Sequence, residues 1–253
     1  MKGKMKKGGW CGGVLLFFLA MTMVLAVSKA ESPDKGYYDY QGMIGHQLKI
    51  RMSLYFEGQK IVGSYFYEKH HQEMTLQGSI AASKIVLREY DKSGRNTGVF
   101  EGYLQTVDSI DGFWSTPGGH RNYPFHLGLI ATAVGAVYGK RYQDAGAAND
   151  AAVETFATRI QKYLGNNEKR KIAALIRFPT AVKVKGKTVT LRGPEQFIRH
   201  YEEIFDPAFR KMLLAIFPRY LFSNYQGIMF GEGIRNIWIG CSQDGCYILK
   251  INN

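Results

Sequence analysis

Cysteine is scarce: the 253 residues hold three, Cys11, Cys241 and Cys246. No histidines or further cysteines cluster around the last two, so a thiolate metal centre has little to build on. Familiar catalytic signatures are also missing. There is no Gly-x-Ser-x-Gly, no His-Glu-x-x-His, no Walker loop and no dinucleotide fingerprint. The common hydrolase, zinc-protease and nucleotide-binding plans are therefore not indicated, and no cofactor is expected. Long apolar runs are lacking too. Val14 to Val27 is 14 residues, interrupted only by Thr22, and a membrane span needs about 20.

What is present at the N-terminus fits a different purpose. Lys2, Lys4, Lys6 and Lys7 precede that short apolar run, and Ser28-Lys29-Ala30 follows it with small residues at both cleavage-determining positions. A cationic lead, a short apolar core and a small-x-small exit predict a signal peptide over residues 1–30, cut before Glu31. The expected location is the periplasm. The alternative is an uncleaved N-terminal anchor, which would tether the chain and allow peripheral membrane contact. Cys11 precedes the apolar core rather than ending it, which argues against lipoprotein processing.

Charge is unevenly spread. The leader holds five basic residues and no acids, so its removal leaves 28 basic against 21 acidic side chains, a net +7. Residues 31–130 carry 10 basic and 11 acidic side chains, whereas residues 131–253 carry 18 and 10. Between Arg159 and Arg192 there are ten Lys and Arg and one acid, Glu168. Such a field draws anionic partners over about a Debye length. In the periplasm these would be an acidic protein, lipid head groups or anionic glycans, and the compartment argues against nucleic acid. The candidate binding residues are Arg177, Lys183, Lys185, Lys187 and Arg192. Lys183, Lys185 and Lys187 alternate with Val182, Val184 and Gly186, which would make one hairpin face cationic. The competing reading is a solvated edge that lysines protect from aggregation.

From Tyr38 to about Leu129, short alternating runs are separated by turns such as Asp91-Lys-Ser-Gly-Arg-Asn96. This period of two at regular spacing predicts an antiparallel β-meander over 31–130. Residues 131–150 are poor in large apolar side chains and read as a linker, or as a small-residue strand and loop. Over 151–253, helix and strand signals alternate. Asp150 is placed to cap a helix carrying Val153, Phe156, Ala157, Ile160, Tyr163 and Leu164 on one face. Ile172, Ala174, Ile176 and Phe178 alternate as a strand. Pro194 and Pro207 open further helices, and three strands close the chain. The expected class is α+β.

Two resemblances accompany this reading. Gly63-Ser-Tyr-Phe-Tyr67, Gly98-Val-Phe-Glu-Gly102 and Asp111-Gly-Phe-Trp114 resemble MORN-type hairpin repeats. Ile176-Arg-Phe-Pro-Thr180, the Phe197 to Phe205 helix, Gln226-Gly-Ile-Met-Phe-Gly231 and Asn236-Ile-Trp-Ile239 resemble the nuclear-transport-factor-two-like (SnoaL-like) superfamily, as found in exported bacterial proteins of unknown role. This second resemblance implies a cone of helices packed on a curved antiparallel sheet. It does not fix an activity, because cone folds serve enzymes, binding modules and dimerisation domains alike.

Other constellations admit two readings each. Cys241 and Cys246 flank a four-residue loop that can set them at disulfide distance across a hairpin; reactive thiols are the alternative. His70, His71 and Glu73 form a solvated loop or a weak metal set, and His120 and His126 are read the same way. His200, Tyr201, Glu202, Glu203 and Asp206 are the nearest approach to an acid–base set, against a solvated helix face. The function expected from this pattern is non-catalytic: a binding or inhibitor/immunity-type protein working through protein–protein or envelope contacts. The alternative is a periplasmic hydrolase or isomerase with its site in the pocket of the cone.

Overall fold

The computed structural model describes residues 33–253, so the expected leader over 1–30, the cut expected before Glu31 and Cys11 lie outside the described residues. Eight antiparallel strands follow one another: β1 Gly36–Ile44, β2 Leu48–Glu57, β3 Lys60–Tyr67, β4 Glu73–Ala81, β5 Lys84–Tyr90, β6 Asn96–Thr106, β7 Ser109–Ser115 and β8 Asn122–Val134. Each pairs with the next, and β8 returns to pair with β1 from Phe125↔Ile44 to Val134↔Gly36. The meander is thus a closed up-and-down barrel without free edges.

Alternation puts one set of side chains inside: Tyr38, Tyr40, Met52, Leu54, Phe56, Tyr65, Leu76, Leu87, Phe100 and Leu127 all belong to one core. An eight-stranded barrel is just wide enough for side chains to fill, and aromatic rings fill this one edge to face, with Tyr65–Phe100 centroids at 5.5 Å and Phe100–Phe125 at 5.2 Å. The single buried carboxylate of that interior, Glu89, is enclosed by donors. It accepts from the Tyr65 hydroxyl at 2.7 Å, Trp114 Nε1 at 2.7 Å and Thr97 Oγ1 at 2.6 Å.

Closure needs strands that bend sharply, and glycine supplies the bends. A Cβ on Gly78 would lie 1.8 Å from the Val86 carbonyl oxygen, and one on Gly112 would lie 2.1 Å from that of Glu101. The glycines of the MORN-like fragments (Gly63, Gly98, Gly102, Gly112) therefore sit inside strands, where neighbouring atoms come too close for a side chain.

After the barrel come α1 Asp150–Gly165, α2 Lys169–Ala173, β9 Thr180–Val184, β10 Lys187–Leu191, α3 Pro194–Arg199, α4 Tyr201–Ile204 and α5 Pro207–Ala215. The last four strands are β11 Phe222–Asn224, β12 Gly227–Glu232, β13 Arg235–Ser242 and β14 Gly245–Asn252. Their shared core holds Phe156, Ile160, Leu164, Phe197, Tyr201, Phe205, Phe209, Phe230, Ile237 and Ile248. Asn149, not Asp150, caps α1, accepting from the Ala152 amide at 2.9 Å. Asp206 caps α5 through the Phe209 amide at 2.8 Å. Cys241 and Cys246 are direct cross-strand partners and are bonded, with Cα atoms 4.0 Å apart.

The expected α+β plan, a meander followed by a cone on one curved sheet, is corrected on three counts. The chain is predominantly β, about half strand and a fifth helix. The meander closes. And the later strands form two separate small sheets, β9–β10 and β11–β14. The ladder that would fuse these sheets is replaced by a side chain: Lys183 N donates to Asn253 Oδ1 and Asn253 Nδ2 donates back to the Lys183 carbonyl, both at 2.8 Å. The strand expected over Ile172–Phe178 does not form: Ile172 and Ala173 end α2, and Ala174 and Leu175 turn the chain. Only Ile176 makes a bridge, to Ile248.

Candidate functional site

The outer face of β1–β4 is covered. Ring centroids of Phe66 and Phe217 are 3.9 Å apart, and Tyr55 and Tyr37 pack beneath Tyr138. At the centre of this seam Arg141 Nη2 donates to both oxygens of Asp39 at 2.7 Å, and both side chains are at most 8% exposed. The guanidinium lies over the rings of Tyr37, Tyr142 and Tyr220 at 4.7–5.6 Å. Burial opposes its charge, but Asp39 holds it protonated. A buried ion pair with this much aromatic cover joins the barrel to the second half of the chain.

Beside this latch lies a cleft of about 470 Å³. Its floor is a row of hydroxyls across three strands, because Ser53 pairs with Ser64 and Ser64 with Thr75, all pointing outward. Its roof is the first turns of α1, where Asp150 and Glu154, four residues apart, share a helix face. Arg219 and Tyr220 close one side, Tyr37 and Tyr138 the other. Asp150 accepts from the Arg141 amide at 2.6 Å and from the Tyr37 hydroxyl at 3.2 Å. Glu73 accepts from Arg219 Nη1 and the Tyr220 hydroxyl, and Tyr220 is also bonded to Ser64. Glu154 lies 3.4 Å from Arg219 Nε. Burial raises the Glu154 carboxyl to about 7; Arg219 opposes the rise, while Asp150 and Glu73 add to it. Burial also raises Asp150.

Little of this cleft is visible in the sequence. There Asp150 reads as a cap and Glu73 as part of a histidine set, and the other lining residues carry no motif. Two signals exist. Asp150 and Glu154 stand at helical spacing, and β1 and β2 carry apolar or aromatic residues on both faces: Tyr37 and Tyr55 point away from the barrel core yet are buried.

The predicted binding residues lie elsewhere. Lys185 and Gly186 form the two-residue turn of the β9–β10 hairpin, at φ of 51° and 76°. The turn divides the lysines: Lys183 opposes Thr188, while Lys187 opposes Val184. They therefore surround the tip instead of lining one face. Arg177 stacks on Tyr247 with its guanidinium 3.3 Å from the ring centroid. The Arg192 amide is held by Gln196 Oε1. Lys183 also borders a groove with Arg235 and Lys250. Within the same basic stretch Lys169, Arg170 and Lys171 pair with Glu202, Glu195 and Glu168, while Arg159 and Lys162 of α1 make no ion pair among the described residues.

His71 packs its ring against Phe66 and Phe217, and His126 Nδ1 sits 2.6 Å from Asp111 on the barrel surface. His200 meets Glu203, Glu202 joins Lys169 and Arg210, and Asp206 joins Arg235. Among the described residues no group of His, Cys, Asp and Glu is placed to hold a metal. No family model, curated protein or solved structure matches the chain.

Proposed function

We propose that the mature chain is an exported, periplasmic binding protein of the inhibitor or immunity type, working by contact with an anionic protein or envelope component. The observation that carries this reading is the hairpin tip. Lys183, Lys185, Lys187, Arg177 and Arg192 make no ion pair among the described residues, whereas the neighbouring cations of α2 do. Exposed, unanswered charge on a short rigid hairpin is what accelerates encounter with an oppositely charged partner. Capture from an envelope extract tests it, with immobilised wild type set against a K183E/K185E/K187E variant. A partner retained by wild type and lost by the variant is expected. Identical captured sets would leave the lysines as a solvated tip.

The enzymatic alternative has one observation in its favour: Glu154, held near neutrality in the seam cleft, has the pKa of a general acid or base. It would place catalysis in the seam, because Phe197, Tyr201, Phe205 and Phe230 occupy the interior of the C-terminal half.

A further inference from the structure

We infer that the seam cleft is a binding site for a primary ammonium group, carried by a small organic amine or by a lysine side chain. The first ground is charge. Three carboxylates, Glu73, Asp150 and Glu154, line the cleft, and with the buried Asp39 they stand against two guanidiniums: Arg219, which meets Glu73 and Glu154, and Arg141, which holds Asp39 and also acts on Asp150 and Glu154. An anion entering would meet uncompensated negative charge; a cation would relieve it. Burial raises both the Asp150 and the Glu154 carboxyls, and at Glu154 the neighbouring Asp150 and Glu73 add to the rise.

The second ground is independent of the acids. Ser53 is 3% exposed in the cleft floor, and its Oγ has no hydrogen-bond partner. A buried hydroxyl left unpaired costs free energy that a ligand donor can recover. An ammonium brings three donors, and the floor offers Ser53, with Ser64 and Thr75 in line beside it. The third ground is Tyr138, whose exposed ring lines the cleft and offers its surface to a cation, as Tyr37 and Tyr220 already do to the Arg141 guanidinium. A volume of about 470 Å³ matches a small-molecule pocket. A metal ion is the less fitting cation, because the carboxylates are not gathered as a ligand set.

Isothermal titration of the full mature chain at pH 8 tests this with two probes, 1,4-diaminobutane and Nα-acetyl-lysine methylamide. Binding of the diamine alone identifies a free amine as the ligand; binding of the lysine amide, alone or as well, identifies a side chain reaching in from a partner. Glu154→Gln and Ser53→Ala should each weaken binding about tenfold or more, with thermal unfolding of both variants still cooperative. In wild type the affinity should rise as pH passes through 7, and Glu154→Gln should abolish that rise. No heat from either amine at millimolar concentration would overturn the assignment. So would equal affinity in wild type and both variants, or binding of acetate in preference to the amines.

Discussion

Replacing Asp39 with Asn tests the latch between the barrel and the second half. The substitution keeps the shape but removes the charge opposite Arg141, whose side chain is 5% exposed. Breaking one side of a buried pair costs about 3–5 kcal/mol, because the remaining charge stays desolvated. The three tyrosine rings around the guanidinium retain part of its stabilisation, on the order of 1 kcal/mol per well-placed ring. We therefore expect a loss near the lower bound, about 3 kcal/mol. Urea unfolding measures it, with Trp114 reporting the barrel and Trp238 the C-terminal sheet. Arg141→Met alone strands the Asp39 carboxylate and should cost as much, whereas the double variant Asp39→Asn/Arg141→Met should cost clearly less than the two singles summed. A single-variant loss under about 1 kcal/mol, or strict additivity in the cycle, would refute the latch.

Other expected outcomes come from packing and titration. Glu89→Ala strands the Tyr65, Trp114 and Thr97 donors inside the barrel, so stability should fall by about 3 kcal/mol or more; urea midpoints check this, and a change under about 1 kcal/mol would count against the network. Gly78→Ala forces a Cβ into the Val86 carbonyl and should cost about 3 kcal/mol or prevent folding, whereas Gly128→Ala, with nothing closer than 4.0 Å, should be nearly neutral. Glu154 has a folded pKa of about 7, above its unfolded value of 4.5, so its protonated form stabilises the fold. That contribution is complete below pH 4.5 and is lost as pH rises through 7. Thermal melts between about pH 4.5 and 8 should show stability falling, and Glu154→Gln should flatten the fall, leaving a shallower one of the same sign from Asp150. An unchanged slope would contradict the assignment.

The strands of the meander, the proline-led helices and the cysteine pairing are all local patterns, and they are legible in the sequence. Closure is not, because it depends on β8. Ala131, Thr132 and Ala133 pair with Asp39, Tyr38 and Tyr37 of β1, and small side chains there leave no hydrophobic periodicity to read. The mid-strand glycines are a usable sign of it, since an open meander has no need of Gly42, Gly63, Gly78 and Gly112 where a neighbouring carbonyl crowds in. The Ile172–Phe178 segment misleads because its apolar residues alternate in sequence. Ile172 and Ala173 are buried from the end of α2, and Ile176 is buried beside its bridge to Ile248, so the buried residues do not follow the two-residue period of a strand. The cleft is hidden for a different reason. Ser53, Ser64 and Thr75 become neighbours only through strand register, and Glu154 meets Glu73 only when the two halves close on each other.

The cationic tip is proposed to govern encounter with an anionic partner. The test is the association rate against ionic strength, measured for wild type and for the K183E/K185E/K187E variant with the partner that capture supplies. Exposed charges are screened over about 8 Å at physiological salt. The wild-type rate should therefore fall steeply with salt, and the variant should associate more slowly with a nearly flat salt dependence, while both unfold at the same urea concentration. Equal rates and equal salt slopes for the two proteins would contradict the account.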